Sequence, residues 1–172
     1  MTTPGKTPSR KAVDKADPIS ARTAARVAAV QALYQMDLAG TDINDVIAEF
    51  LNVRFTPEGR DETIEGADRT FFADILRAVL RRQREIDPLI DEQLATGWRL
   101  VRVDSILRAV LRAGAAELVD RNDVPGRVVI NEYINVARFF FSEEEPRVVN
   151  GVLDKIAHAV RPQEFVAKPA KS

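Results

Sequence analysis

Arg22 and Arg26 stand four residues apart, so a helix would carry both guanidinium groups on one face. Such a pair suits contacts to phosphate oxygens. It also suits simple solvation of an alanine-rich helix, and spacing alone leaves both uses open. Twelve residues beyond Arg22, Tyr34 offers a ring that can stack on an unpaired base or pack into a core with its hydroxyl at the rim. Catalytic combinations are sparse. His158 is the only histidine and there is no cysteine, so thiol chemistry and thiolate metal sites are excluded and a zinc site is not expected. No phosphate-binding glycine loop occurs. Glu143, Glu144 and Glu145 form an acidic run, most simply read as the favourable charge at a helix start. The expectation is a protein without catalytic, metal or cofactor sites.

Charge is unevenly distributed, although the formal net charge is only −1. Residues 1–39 hold six basic groups against three acids, and residues 42–68 hold eight acids against two arginines. Any binding to an anionic polymer must therefore be local. The 172 residues are 45% hydrophobic, enough for a sizeable core. No apolar run reaches membrane-spanning length, and the first twenty residues lack the apolar stretch of a secretory signal. Together with the missing cysteine, this fits a cytoplasmic protein.

The elements that position these residues are helical. Residues 1–19 have no periodicity and three prolines, and read as a disordered basic arm. Ser20 caps a helix over 21–39 that Gly40 stops. On it Val27, Val30, Tyr34 and Leu38 form an apolar stripe, with Arg22 and Arg26 on an exposed face beside it. A short helix follows to Leu51, and 54–67 reads as a loop. Asp68 caps a helix to about Glu85. Asp87–Pro88 then opens a separate short helix to about Ala95, and Gly97–Trp98 make a tight connection. Asp104 caps a helix to about Asp120, with Gly114 in the middle of its apolar arc, a place where another backbone can approach closely. Helices over about 127–140 and from the acidic run to Pro162 complete seven. Pattern therefore predicts an all-α fold of two small helical bundles. It comprises an N-terminal subdomain over about 20–67, a C-terminal one over about 68–162, and a disordered tail over 163–172.

Four segments carry a resemblance. Ala-Val-Gln-Ala-Leu-Tyr-Gln (29–35), Asp-Ser-Ile-Leu-Arg-Ala-Val-Leu-Arg (104–112), Asn-Asp-Val-Pro-Gly-Arg-Val-Val-Ile-Asn-Glu (122–132) and Val-Asn-Gly-Val-Leu-Asp-Lys-Ile-Ala (149–157) resemble, in order and spacing, the motifs of the transcription antitermination factor NusB family. The resemblance implies the seven-helix NusB-like fold. It implies binding to boxA-type single-stranded RNA together with the small-subunit ribosomal protein NusE, within a transcription elongation complex on ribosomal RNA. Family members occur as monomers or homodimers. The arginine-rich segment falls on Arg22 and Arg26, the motif tyrosine is Tyr34, and the start of the last helix points to Arg147. Two departures stand out. Thr23, Ala24 and Ala25 separate the arginines, and Phe141 and Val148 replace the glycine and phenylalanine common in the family. Two alternatives share part of this reading. One is the NusB-like N-terminal domain of a ribosomal RNA cytosine methyltransferase. The other is a helical scaffold or dimerisation module without RNA binding.

Overall fold

The computed structural model describes residues 19–95 and 99–166. The basic arm before Ile19, the connection at Gly97–Trp98 and the end of the tail lie outside the described residues. Seven α-helices and no strand are present among the described residues. They are α1 (Ala21–Ala39), α2 (Ile43–Glu49), α3 (Glu62–Glu65), α4 (Arg69–Gln93), α5 (Ser105–Asp120), α6 (Gly126–Phe140) and α7 (Glu144–Val160).

Local chemistry sets most of the boundaries. The side chains of Ser20, Asp68 and Asp104 each accept a hydrogen bond from a backbone N–H in the first turn of the helix that follows, at 3.0, 2.9 and 2.8 Å. Each satisfies a donor the helix leaves without a partner. Gly40 ends α1 in the left-handed conformation, with φ +67, and its N–H bonds to the Met36 carbonyl.

Two boundaries differ from expectation. First, α4 runs unbroken through Pro88, where the sequence suggested a new helix. Pro88 lies on the exposed side of the helix, where its ring meets no core packing. Ile86 and Ile90 are fully buried on either side of it. Arg112 grips Asp87 with two hydrogen bonds of 3.0 Å. These contacts offset a break that would cost about 3 kcal/mol in an isolated helix. Second, the stretch read as a loop over 54–67 holds the one-turn helix α3, capped by Asp61, and begins with a buried anchor. A π-helical turn over Phe50–Arg54 lets the Phe55 N–H reach the Phe50 carbonyl at 2.8 Å. Phe50, Phe55 and Phe72 then pack with ring centroids 4.8–5.7 Å apart.

The start of the supposed tail is also structured, which corrects the expectation for 163–166. Pro162–Glu164 form a 3-10 turn, and Glu164 accepts a hydrogen bond of 2.8 Å from the Gly126 N–H. The adjoining Arg161 is almost fully buried. Its guanidinium donates to the carbonyls of Glu117, Leu118, Arg121 and Val124, closing the C-terminal end of α5.

α1 packs against α4, α5 and α6. From Thr23 to Val30 every residue is buried, whichever way it points. Ala24, Ala25, Ala28, Ala29 and Ala32 make this possible, because small side chains all round the helix let three neighbours approach. Gly114 does sit in a crowded place, but side chains fill it rather than another backbone. A Cβ there would meet Leu153 Cδ1 at 2.6 Å and Tyr133 Cγ at 3.3 Å.

Candidate nucleic-acid interface

The two arginines of α1 have different fates. Arg22 is exposed, and its guanidinium lies over the Phe71 ring, 4.6 Å from the centroid. No acid pairs with it among the described residues. Arg26 departs from the expected exposed position: it is 2% exposed, as is Glu117. It donates from Nε and Nη2 to the two Glu117 carboxylate oxygens, each at 2.9 Å. The physical reason is the all-round packing of α1, which leaves no solvent-facing side at this level. Buried and held in this bidentate pair, Arg26 does not present its charge to an external phosphate.

A polar chain surrounds Arg26. Tyr133 donates its hydroxyl hydrogen to Glu117. Thr23 Oγ1 donates to Glu132 at 2.8 Å and lies 2.7 Å from Ser20 Oγ, while Arg26 Nη1 approaches Glu132 at 3.7 Å. Burial raises the Tyr133 hydroxyl well above its ordinary pKa, and the Glu117 charge adds to the effect. Burial opposes the Arg26 charge, but the hydrogen bonds and charge of Glu117 outweigh it and the group is held more firmly protonated. Among the described residues no buried side-chain polar atom lacks a partner. Sequence reasoning missed Glu117, Glu132, Tyr133 and Phe71. The alanines recurring on every side of α1 were the available signal that Arg26 had to turn inward.

Phe71 links the inner and outer groups. Arg26 and Arg121 also lie over its ring, at 4.8 and 4.6 Å. Arg121 is held by Asp123 at 3.2 Å and Asp74 at 3.4 Å. The Arg121 hydrogen bond holds the Asp123 carboxyl below the usual carboxylate range.

Tyr34 is 37% exposed and Leu38 60%, so the expected stripe divides: Val27 and Val30 enter the core, and the last two turns emerge. There Tyr34 and Leu38 line a groove with Val30, Ile106, Phe140 and Arg54. Arg147 is exposed at the start of α7. It shares a separate, polar depression with Arg138, Ser142, Glu143 and Asn150. Arg22, Tyr34 and Arg147 are thus all at the surface, but Tyr34 and Arg147 belong to different depressions. His158 is exposed, bonds through Nδ1 to the Asp154 carbonyl at 2.8 Å and packs on Phe165. No described helix is long and apolar enough to cross a membrane.

These features define an all-helical protein that exposes guanidinium groups and an apolar groove among the described residues. The NusB family pattern matches residues 23–158. A transcription antitermination protein NusB of Bradyrhizobium diazoefficiens is 54% identical over 144 residues, covering 84% of this chain and 87% of that protein. Among solved structures, T. maritima NusB superposes with a TM-score of 0.68 at 30% identity, over 85% of this chain and 97% of the other. Antitermination factor NusB in a complex with NusE and double-stranded RNA superposes with a TM-score of 0.62 at 26% identity, over 80% and 96% of the two chains. The chain belongs to the NusB family, and its relatives carry the name of antitermination proteins, not of enzymes.

Proposed function

We propose that this protein is a cytoplasmic, RNA-binding transcription antitermination factor. It binds boxA-type single-stranded RNA jointly with ribosomal protein NusE, within the elongation complex that transcribes ribosomal RNA. The observation that carries this reading is Arg22, an exposed guanidinium unpaired among the described residues and held on Phe71, in a fold shared with a NusB seen with NusE and RNA. A cation placed on a ring loses less freedom when it meets a phosphate than one on a free side chain. Arg147 supplies a second exposed cation, and Tyr34 with Leu38 supplies the apolar surface for NusE or a stacked base. Arg26 acts from inside, by fixing Phe71 and the first turn of α1.

Titration of labelled boxA RNA and a scrambled control tests this, with and without NusE. The wild type binds boxA in preference, and NusE tightens that binding. By reciprocity, RNA tightens NusE binding by the same factor. The variant Arg22→Glu with Arg147→Glu loses RNA affinity. Equal binding of boxA and scrambled RNA, with or without NusE, contradicts the reading and favours a helical scaffold.

A further inference from the structure

Helix α4 carries on its solvent face a column of arginines that neither the core nor the site above uses. Arg77, Arg81 and Arg84 are all exposed. At roughly 100° per residue they fall within an arc of about 60°, separated along the axis by about 6 and 4.5 Å. Arg77 and Arg84 have no ion-pair partner among the described residues. Arg81 reaches Asp120 at 2.9 Å, but Asp120 also pairs with Arg82 at 3.1 Å, and the Arg81 side chain remains 57% exposed. An exposed pair of this kind is weak and exchangeable. The acids bordering the column are occupied elsewhere: Glu85 by Arg82 at 2.8 Å, and Asp74 by Arg121 at 3.4 Å. The column is therefore a local excess of positive charge on a protein whose formal net charge is −1.

This column is continuous with the candidate interface. Arg22 and Arg121 share the Phe71 ring, each 4.6 Å from its centroid. Arg121 reaches Asp74, which lies one turn before Arg77 on the same helix face. Guanidinium groups thus lead from the start of α1 past the end of α5 to α4, where the Asp74 and Asp123 carboxylates flank Arg121 and the unopposed column begins at Arg77. Regularly repeated charge in a line matches a polymer with one negative charge per residue better than the scattered acids of a folded protein.

We propose that the α4 column of Arg77, Arg81 and Arg84 is a second, sequence-independent contact for the phosphate backbone of single-stranded RNA flanking the boxA element. The column rests on the RNA-binding reading above and deepens it. It explains how a protein with few cations at the first helix holds a longer transcript: recognition occurs at one end, and backbone contacts extend along α4. Guanidinium groups in a column without opposed base-edge donors position RNA without reading its sequence.

The test compares the wild type with a variant carrying Arg77→Gln, Arg81→Gln and Arg84→Gln. All three sites are exposed helix positions and glutamine is a good helix former, so the fold is retained; circular dichroism and the melting temperature check this. Three probes are titrated at several salt concentrations: a short boxA oligomer, the same oligomer extended by a run of uridines at either end, and oligouridine alone. The wild type binds the extended RNA more tightly than the short one, and with a steeper salt dependence. The variant matches the wild type on the short oligomer. On the extended RNA its salt slope falls by about 2, at roughly 0.7 per phosphate contact, and its affinity at low salt falls roughly tenfold or more. Its binding to oligouridine weakens in parallel. Should the triple variant fold poorly, Arg77→Gln alone lowers the slope by about 0.7. The proposal is overturned if extension adds nothing for the wild type, or if the variant keeps the wild-type slope; the column then faces solvent or an acidic protein. Loss of boxA preference on the short oligomer counts instead against the primary reading, because oligouridine reports on the column by itself.

Discussion

Arg22 and Arg26 lie one helical turn apart and touch the same phenylalanine, yet one faces water and the other is sealed in the core. The difference comes from their neighbours. Arg26 sits where α4, α5 and α6 close around α1, and Glu117 and Glu132 meet its charge. Arg22 sits where the helix leaves that enclosure. A basic residue at one end of a helix can thus serve structure while its neighbour remains available to a ligand. Only the packing of distant segments decides which.

The largest effect that can break this comparison is on stability. Arg26→Ala leaves the Glu117 carboxylate buried without its cation, and removing one partner of a buried pair costs about 3–5 kcal/mol. Denaturant unfolding measures this, and a loss under about 1 kcal/mol would mean that the pair is not buried in solution. Gly114→Leu tests the crowding on the other side of the same core. A larger side chain drives into Leu153 and Tyr133 and destabilises by about 1–3 kcal/mol. An unchanged melting temperature contradicts that placement.

Tyr133→Phe removes one hydrogen bond to Glu117, for a loss of about 1–2 kcal/mol. It also changes the pH profile. The hydroxyl pKa is higher in the folded state than in the unfolded chain, so its contribution is complete below the ordinary value of 10.0. As pH rises above that value, the unfolded chain releases this proton first and stability falls. The wild type therefore loses stability more steeply above pH 10 than Tyr133→Phe does. Parallel profiles would show that this hydroxyl does not respond to burial. At the small end, Arg22→Gln shifts stability by no more than about 0.5 kcal/mol, as an exposed position should.

Much of the fold was legible because its signals are local. Ser20, Asp68 and Asp104 cap the helices they precede, and Gly40 stops α1. The failures arose where distant contacts override a local preference. Pro88 reads as a break, but the packing of Ile86 and Ile90 and the grip of Arg112 carry the helix through it. Glu164 reads as part of a tail and Arg161 as the last residue of the final helix, but they cap α6 and α5, which precede them by about forty residues. In the candidate site, Arg22 and Arg147 follow from motif position and lie at the surface. Arg26 was misjudged because a periodic stripe assumes one buried face, and α1 is buried on every side from Thr23 to Val30. Its partner Glu117 is 91 residues away, beyond any local pattern.

The most direct test measures stability and RNA binding on the same two variants. Arg22→Gln and the paired replacement Arg26→Gln with Glu117→Gln, which leaves no lone buried charge, are each unfolded in denaturant. Each is then titrated with boxA RNA over a range of salt, under conditions where it is folded. A crossed result is expected. Arg22→Gln keeps its stability and loses about 0.7 from the salt slope. The paired variant changes in stability and keeps the wild-type slope. A reduced slope in the paired variant, with a wild-type slope in Arg22→Gln, would contradict the division between an inner arginine that builds the protein and an outer one that binds RNA.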